Sequence, residues 1–269
     1  MSSKPNPSDP SETMVIRKLN DNIVTCSVPF LRFGHIKFGG RGTIVKMQSG
    51  ALAVFSPTAL TPEVKEMVDS MGEVKYITAL DIEHHIFLGP WNRAYPQAKV
   101  LCPEGLPGKR AKQKNDDVPF SVVFRAVDKE SITVDPEFDA EFEFEFVHSH
   151  ANKEIVFNWK PGKTLIEADL LFNLPATEQF SKTGQSPTSG ILTKLFTTLG
   201  HTSGAAKGQQ RIVWHAMSAG DRPGFAKSMA KINAWDFDRI IPCHGDVIET
   251  DGKGIFQKIM AWHLQGKKV

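Results

Sequence analysis

The sequence predicts a mixed α/β protein, because runs with the period of a strand alternate with a run that has the period of a helix. Short β-branched or apolar runs, separated by Gly, Asn and Ser, predict strands at residues 23–25, 42–45 and 52–55. Apolar residues at helical spacing then run from Pro62 to Gly72, and residues 74–78 form the next predicted strand. A helix between two strands is typical of a β-α-β unit, which indicates the α/β class.

The composition excludes several classes of protein. Of the 269 residues, 41% are hydrophobic and 23% are charged, which is typical of a globular domain. With 32 Lys and Arg against 30 Asp and Glu, the net charge of +2 does not favour nucleic acid or a membrane as the main partner. Three cysteines are too few for a disulfide framework, and no apolar run approaches the roughly 20 residues that span a bilayer. We therefore expect a soluble, cytoplasmic protein with no nucleic-acid or membrane partner.

The sequence also predicts where the folded part begins. Residues 1–13 are rich in Ser and Pro and contain no aliphatic residue after Met1, so we expect a disordered tail. No internal repeat or linker divides the remainder. Residues 14–269 are therefore expected to form a single domain.

Two segments of the chain have an unusual composition. Residues 107–117 hold a basic run followed by acids. A nucleic-acid-binding segment would interleave aromatic residues with the basic ones, and this one does not, so we predict a solvated loop. Residues 176–210 are rich in Gly, Ser and Thr around an apolar core, and such insertions often form lids over a site. The other predicted elements are a strand at 211–214, a helix at 224–234, a strand at 239–241 and a helix at 252–265.

A strictly alternating stretch at residues 141–146 predicts a strand with one apolar face. Successive side chains of a strand point to opposite sides, so the phenylalanines at 142, 144 and 146 should face the core and the glutamates water. If the pleat continues, His148 and His150 lie on the buried side. Buried imidazoles need partners, which allows either hydrogen-bonded core histidines or metal ligands.

Other candidate ligands also follow predicted strands. Asp81, Glu83, His84 and His85 come directly after the strand at 74–78. A second apolar run, at residues 163–172, contains Asp169 near its end, and the strand at 239–241 is followed by His244 before a glycine. Side chains at strand ends are held on a rigid scaffold, which is how metal and acid–base sites are built.

The order of elements and ligands resembles the metallo-β-lactamase superfamily, whose fold is an αββα sandwich. The superfamily signature is H-x-H-x-D-H after a strand, then a third histidine, a metal-bridging aspartate and a late histidine. When the last histidine of the signature is set on His84, Glu83 takes its aspartate position, and Asp81 and Ala79 take the other two histidine positions. A run from His84 to Trp91, followed by Tyr95 and Pro96, is similar to an uncharacterised branch of the fold, a domain-of-unknown-function family (DUF4336).

The resemblance implies a divalent metal site for one or two ions. His150 matches the third histidine, Asp169 the bridging aspartate and His244 the late histidine. One implied site uses Glu83, His84, Asp169 and His244, and the other uses Asp81, His150 and the shared Asp169. Asp169 and His84 are also the implied catalytic residues. Carboxylates in place of imidazoles favour harder ions such as manganese or iron, although zinc remains the favoured metal by affinity.

The alignment leaves two points open. Ala79 cannot bind a metal, and His85 or His148 would have to replace the missing ligand. Moving the alignment by one residue puts His85 at the final position of the signature but loses both carboxylates.

Three functions are compatible with these residues. The resemblance implies a metal-dependent hydrolase that attacks an ester, thioester, lactone or phosphoester of a partly apolar small molecule, with Phe87, Trp91, Phe172 and residues 176–210 around the pocket. The altered ligands instead fit a degenerate member that binds or scaffolds without a catalytic metal. A Cys or Ser nucleophile is the third alternative, but Cys243 and His244 are neighbours and should point to opposite faces of a strand.

Overall fold

The computed structural model describes residues 9–115 and 118–266, and most of its strands lie in two sheets. One sheet has seven strands in the order β1-β2-β5-β6-β7-β8-β9, and the other has four in the order β10-β11-β12-β13. Strands β3 and β4 form a separate hairpin. The strands are β1 (Val15–Lys18), β2 (Ile23–Val28), β3 (Leu31–Arg32), β4 (Ile36–Lys37), β5 (Gly40–Lys46), β6 (Leu52–Phe55), β7 (Val74–Thr78), β8 (Lys99–Pro103), β9 (Phe120–Phe124), β10 (Phe142–Val147), β11 (Glu154–Trp159), β12 (Thr164–Ile166) and β13 (Arg239–Ile241).

Helices connect the strands and cover the sheets. They are α1 (Pro10–Thr13), α2 (Pro62–Met71), α3 (Leu88–Ala94), α4 (Leu106–Lys112), α5 (Pro136–Glu141), α6 (Thr177–Phe180), α7 (Ile191–Gly200), α8 (Lys207–Ile212), α9 (Arg222–Ala234), α10 (Gly252–Ile259) and α11 (Ala261–Leu264). A 3₁₀ turn spans Lys160–Gly162, and a π-helical turn spans Val213–Met217. None of the helices within residues 9–115 and 118–266 combines the length and the apolar character needed to cross a lipid bilayer.

The two sheets pack face to face, and their shared core is rich in aromatic rings. Phe55 of β6 contacts Phe142 of β10 and Phe157 of β11, with ring centroids 5.4 and 5.1 Å apart. On the outer face of the seven-stranded sheet lie apolar residues of α2, α3 and α4, and on the outer face of the other sheet lie those of α9 and α10. This αββα arrangement confirms the predicted fold class.

The predicted β-α-β unit is present between β6 and β7, which pair in parallel. Helix α2 begins where Thr61 Oγ1 accepts a hydrogen bond from the backbone N–H of Val64, an N-cap that satisfies one of the free donors of the first turn. Gly72 follows the last helical residue, as predicted. All four elements predicted between residues 42 and 78 thus have the bounds that the pattern gave to within two residues.

Three segments differ from the prediction. Part of the expected tail is helical, since residues 10–13 form α1 with Asp9 as its N-cap; residues 1–8 lie outside the described part of the chain. Residues 106–112 form helix α4 rather than a loop, and residues 116–117 of the expected loop lie outside the described residues. The predicted strand at 211–214 is wrong, because these residues belong to α8 and to the π-helical turn.

The glutamates of the alternating stretch do not face water as predicted. Glu145 is 1% exposed and binds Lys129, Lys231 and Ser228, and Glu141 is 7% exposed and accepts a hydrogen bond from Trp159 Nε1. Glu145 is buried because α9 packs against β10, whereas Glu141 belongs to the end of α5 and not to the strand. Burial alone would raise the pKa of Glu145, but the hydrogen bonds from Lys129 and Ser228 lower it.

Candidate metal centre

Three side chains from three loops converge at one edge of the two sheets. His84, Asp169 and His244 place ligand atoms within 4.8 Å of one another. His84 Nε2 lies 3.1 Å from His244 Nε2, which lies 3.2 Å from Asp169 Oδ1. Asp169 and His244 follow β12 and β13, which pair in parallel and therefore end at the same edge. His84 reaches this edge from the loop after β7.

His84 is held by a turn that Asp81 organises. Oδ1 of Asp81 accepts hydrogen bonds from the backbone N–H groups of Glu83 and His84, at 2.8 and 2.7 Å, which is the arrangement of an Asx turn. The same oxygen lies 2.8 Å from Nδ1 of His84. Because a carboxylate accepts, Nδ1 carries a proton, and Nε2 is the ring nitrogen that faces the cluster.

His244 is oriented by backbone and by two side chains that the sequence analysis missed. Its Nδ1 donates to the carbonyl oxygen of Gly39 at 2.7 Å, so its Nε2 also faces the cluster. Gln179 binds the backbone on both sides of His244, and Arg41, 2% exposed, donates to the carbonyls of Pro242 and Gly245. Gly245 has φ +86°, and a Cβ there would lie 2.2 Å from Asn173 O, so the turn requires glycine.

Asp169 lies in a loop that two buried glutamates fix. Glu154 accepts hydrogen bonds from the N–H groups of Ala168 and Asp169, and Glu167 accepts from that of Leu170. Both glutamates are fully buried, and burial raises their pKa values well above the usual range. The sequence analysis missed them, although each is an acid inside or beside an apolar strand.

The two oxygens of Asp169 have different partners. Oδ1 faces His244, whereas Oδ2 accepts a hydrogen bond from Asn152 Nδ2 at 2.6 Å. Burial alone would raise the pKa of Asp169, but the contact with His244 and the proximity of His84 lower it, so the carboxylate is ionised. Burial disfavours the charged form of His84 and alone would lower its pKa. The adjacent charges of Asp81 and Asp169 instead raise that pKa to about 9.

The donor set fits a divalent cation. The Nε2 atoms of two imidazoles and a carboxylate oxygen converge while both Nδ1 atoms are held by other acceptors, an arrangement that calls for a proton or a metal ion at the centre. Ligand atoms on tetrahedral zinc lie about 3.4 Å from each other, close to the 3.1 and 3.2 Å observed. The carboxylate on His84 Nδ1 and the carbonyl on His244 Nδ1 are the outer partners that metal-binding histidines usually have.

Other residues predicted as ligands lie outside this group of three. Glu83 Oε1 accepts a hydrogen bond from Lys109 Nζ of α4 at 2.7 Å, and Asp81 uses one oxygen on the turn. His150 is buried, but the N–H of Asn152 donates to its Nδ1 at 3.2 Å, which places the ring proton on Nε2. Nε2 of His150 is buried without a hydrogen-bond partner among the described residues, so its role as a ligand stays a prediction.

Neither alternative for the ligand missing at Ala79 joins the group. His85 lies 3.3 Å from the guanidinium of Arg110, and its burial and the charge of Lys109 lower its pKa to about 4. His148 is half-buried in the turn after β10, because the strand ends at Val147 and its pleat does not continue as expected. Cys243 is buried, and burial raises the pKa of its thiol, so it does not form a thiolate nucleophile.

A cavity of about 170 Å³ opens on the two histidines of the cluster. Its walls are mainly apolar, and Arg32 contributes a positive charge. Of the residues predicted to surround a pocket, Phe87 lines this cavity, whereas Trp91 is buried in the core and Phe172 packs behind His244. Residues that line the cavity include Phe30, Arg32, His84, Ile86, Phe87 and His244.

Solved structures show the same fold. A metallo-β-lactamase from Pontibacter korlensis aligns with a TM-score of 0.57 and 11% identity, over 93% of this chain and 98% of its own. One from Hirschia baltica aligns at 0.56 and 10%, over 93% and 97%. A mutant of the flavo di-iron protein from Thermotoga maritima aligns at 0.57 and 11%, over 93% of this chain and 62% of its own. The fold is therefore that of the metallo-β-lactamases.

The sequence itself places the chain more narrowly. A search of curated proteins finds no match. The family model described as a domain of unknown function (DUF4336) matches residues 34–215, which is more than half of the chain. The resemblance inferred from the run after His84 is thus confirmed, and the protein belongs to the DUF4336 family, a divergent branch of the metallo-β-lactamase fold.

Proposed function

We propose that the protein is a metal-dependent hydrolase of an ester, thioester, lactone or phosphoester. The observation that carries the proposal is the convergence of His84 Nε2, His244 Nε2 and Asp169 Oδ1 at the mouth of a cavity. The metallo-β-lactamase fold of the neighbours agrees with it. A divalent ion bound by three protein ligands has open positions and lowers the pKa of a water molecule from 15.7 to about 7.

The residues of the chain supply position and exclusion of water. Asp81 and Gly39 fix the two imidazoles through their Nδ1 atoms, and Asn152 fixes the carboxylate of Asp169 through Oδ2. Phe30, Ile86 and Phe87 give the cavity apolar walls that suit a partly apolar small molecule. Arg32 at the cavity places a cation where a substrate carboxylate or phosphate would lie. We propose zinc as the metal and the cytoplasm as the compartment.

The test is the metal content of the purified protein, followed by a hydrolysis assay on the four bond types with and without a chelator. We expect about one equivalent of Zn, Mn or Fe and an activity that the chelator removes. Asp169→Ala should lose both the metal and the activity and remain folded. The matched control is Asp236→Ala, which removes an aspartate that is 76% exposed and pairs only with Lys163 at the surface.

Two outcomes would reject the proposal. Asp169→Ala with unchanged metal content would show that the ion binds elsewhere. A protein that takes up no metal on reconstitution, and whose melting temperature ignores chelators, would instead support the second candidate, a binding protein without catalysis. That candidate is favoured by Glu83, whose carboxylate pairs with Lys109 and not with the cluster.

A further inference from the structure

Acidic residues are absent from two segments that contact each other. Residues 29–40, which include the β3–β4 hairpin, and residues 179–220, which include α7 and α8, contain no Asp or Glu. They hold six of the 32 basic residues: Arg32, Lys37, Lys182, Lys194, Lys207 and Arg211. The rest of the chain therefore has 26 basic and 30 acidic residues. The net charge of +2 is therefore unevenly distributed: residues 29–40 and 179–220 form a basic region, and the rest of the chain is acidic.

Helix α7 presents an apolar face to solvent within this basic region. Ile191 is 88% exposed, Leu192 is 48% exposed and Leu195 is 52% exposed. Positions i, i+1 and i+4 lie on one side of a helix, so the three side chains form a continuous patch. The opposite side of α7 is fixed, because Phe196 packs on Phe38 at 5.8 Å between ring centroids and Thr193 is buried.

The hairpin extends the patch. Thr193 Oγ1 of α7 accepts a hydrogen bond from the backbone N–H of Lys37, at 3.2 Å, which holds the hairpin to the helix. At the hairpin tip, Phe33 is 69% exposed, and the guanidinium of Arg32 lies 5.1 Å from its ring centroid. Lys194, also exposed, lies among the three aliphatic residues of α7. Exposed aliphatic and aromatic side chains therefore alternate with cations.

We infer that the exposed face of α7, together with Phe33, docks on an anionic lipid surface. Aliphatic side chains beside Lys on a helix are typical of segments that bind the interface of a bilayer. The cytoplasmic leaflet is negatively charged and attracts basic segments, and the absence of Asp and Glu removes any repulsion from it. A second copy of the chain is a poorer occupant, since the cations of two such faces would repel each other.

Docking in this way brings the cavity close to the lipid. Phe196 of α7 packs on Phe38, whose ring centroid lies 5.1 Å from that of His244. Two aromatic contacts therefore separate the docking helix from the candidate metal centre. The inference does not rest on hydrolysis, because lipid binding is measured without substrate or metal.

The experiment is flotation of the full-length protein with two kinds of vesicle. One is phosphatidylcholine alone, and the other contains phosphatidylserine as about a third of the lipid. We expect the protein to float with the anionic vesicles, to stay in solution with the neutral ones, and to be released by high salt. Equal binding to both vesicles, or binding to neither, would overturn the inference.

Variants separate the patch from the overall charge. Leu192→Glu combined with Leu195→Glu, and separately Lys194→Glu, should lower the partition onto anionic vesicles by about tenfold or more. The side chains are exposed, so both variants should keep the wild-type circular dichroism spectrum. Val127→Glu is the matched control: this valine is 89% exposed and lies outside the basic region, next to Asp128, so its replacement should leave binding unchanged.

Two results would contradict the assignment of the surface. Wild-type partition of the Leu192→Glu, Leu195→Glu variant would show that α7 does not touch lipid. A dimer in light scattering that this double variant dissociates would show that the patch is covered by a second copy of the chain.

Discussion

The two sides of the Asp169 carboxylate differ, although they belong to one buried side chain. On the Oδ1 side lie two imidazole Nε2 atoms and the cavity. On the Oδ2 side lie the amide of Asn152 and the ring of His150, whose Nδ1 already accepts a hydrogen bond. The imidazoles of His84 and His244 face Oδ1, whereas the amide of Asn152 occupies Oδ2. Nε2 of His150 is buried without a hydrogen-bond partner among the described residues.

The difference favours the Oδ1 side for the proposed cation, because no amide competes for that oxygen. A carboxylate that bridges two ions through both of its oxygens would have to bind one of them at Oδ2, where Asn152 already donates a hydrogen bond. Two-ion binding would also need His150 in the other tautomer, with a proton on Nδ1. We therefore expect one ion rather than two, held at the Oδ1 side. Three variants test this comparison.

Asp81→Ala should have the largest effect on the Oδ1 side. It removes the oxygen that orients His84 Nδ1 and caps the turn, and loss of such an outer partner lowers metal affinity by about 10- to 100-fold. The measurement is a competition titration against a chromophoric chelator. Asp81→Asn keeps an oxygen for the turn and removes only the charge, so it should lose less affinity. An unchanged affinity in both variants would separate Asp81 from the site.

Asn152→Asp should change the Oδ2 side. It places a second carboxylate where the amide lies 2.6 Å from Asp169, and two carboxylates at that distance need a cation between them. We expect the number of bound ions, counted by elemental mass spectrometry, to rise from one to two.

A matched control is Asn158→Asp, which puts a carboxylate beside Glu143 on the second sheet, away from the histidines. If this control also binds an extra ion, the effect of Asn152→Asp reflects carboxylate pairs in general. A single ion in Asn152→Asp would show that the Oδ2 side is closed for another reason.

Glu83→Gln should have the smallest effect. Its carboxylate pairs with Lys109 and is 40% exposed, and exposed ion pairs stabilise proteins by at most about 1 kcal/mol. Metal content should not change, and urea denaturation should detect only a slight loss of stability. A Glu83→Gln protein without metal would return this residue to the ligand set.

The sequence predicted the part of the site that follows from strand ends. His84, Asp169 and His244 each come after a short apolar strand, and β12 and β13 are parallel neighbours, so their loops meet. Resemblance to a known fold named the same three residues, and the structure brings them together. The arrangement of the scaffold was predictable because it depends on hydrophobic period, which is local.

The remaining ligand predictions depended on contacts between distant residues, which the hydrophobic period of the sequence does not reveal. Glu83 pairs with Lys109, 26 residues away on a helix that the basic sequence had suggested was a loop. His150 lies in a turn because β10 ends at Val147, so alternation could not be extended to it. Residues 211–214 include β-branched side chains but are helical, because they continue α8. That helix is held in place where Gln209 accepts a hydrogen bond from the N–H of Phe172 and Gly208 lies against Leu199.

The carbonyl of Gly39 links the wall of the cavity to His244 of the candidate metal centre. It ends the segment that carries Phe30 and Arg32 at the cavity wall, and it accepts the proton of His244 Nδ1. A ligand that displaces this segment by a fraction of an ångström also lengthens that hydrogen bond and reduces the basicity of the imidazole. The hydrogen bond between Gly39 and His244 thus couples the position of the cavity wall to the basicity of His244 Nε2.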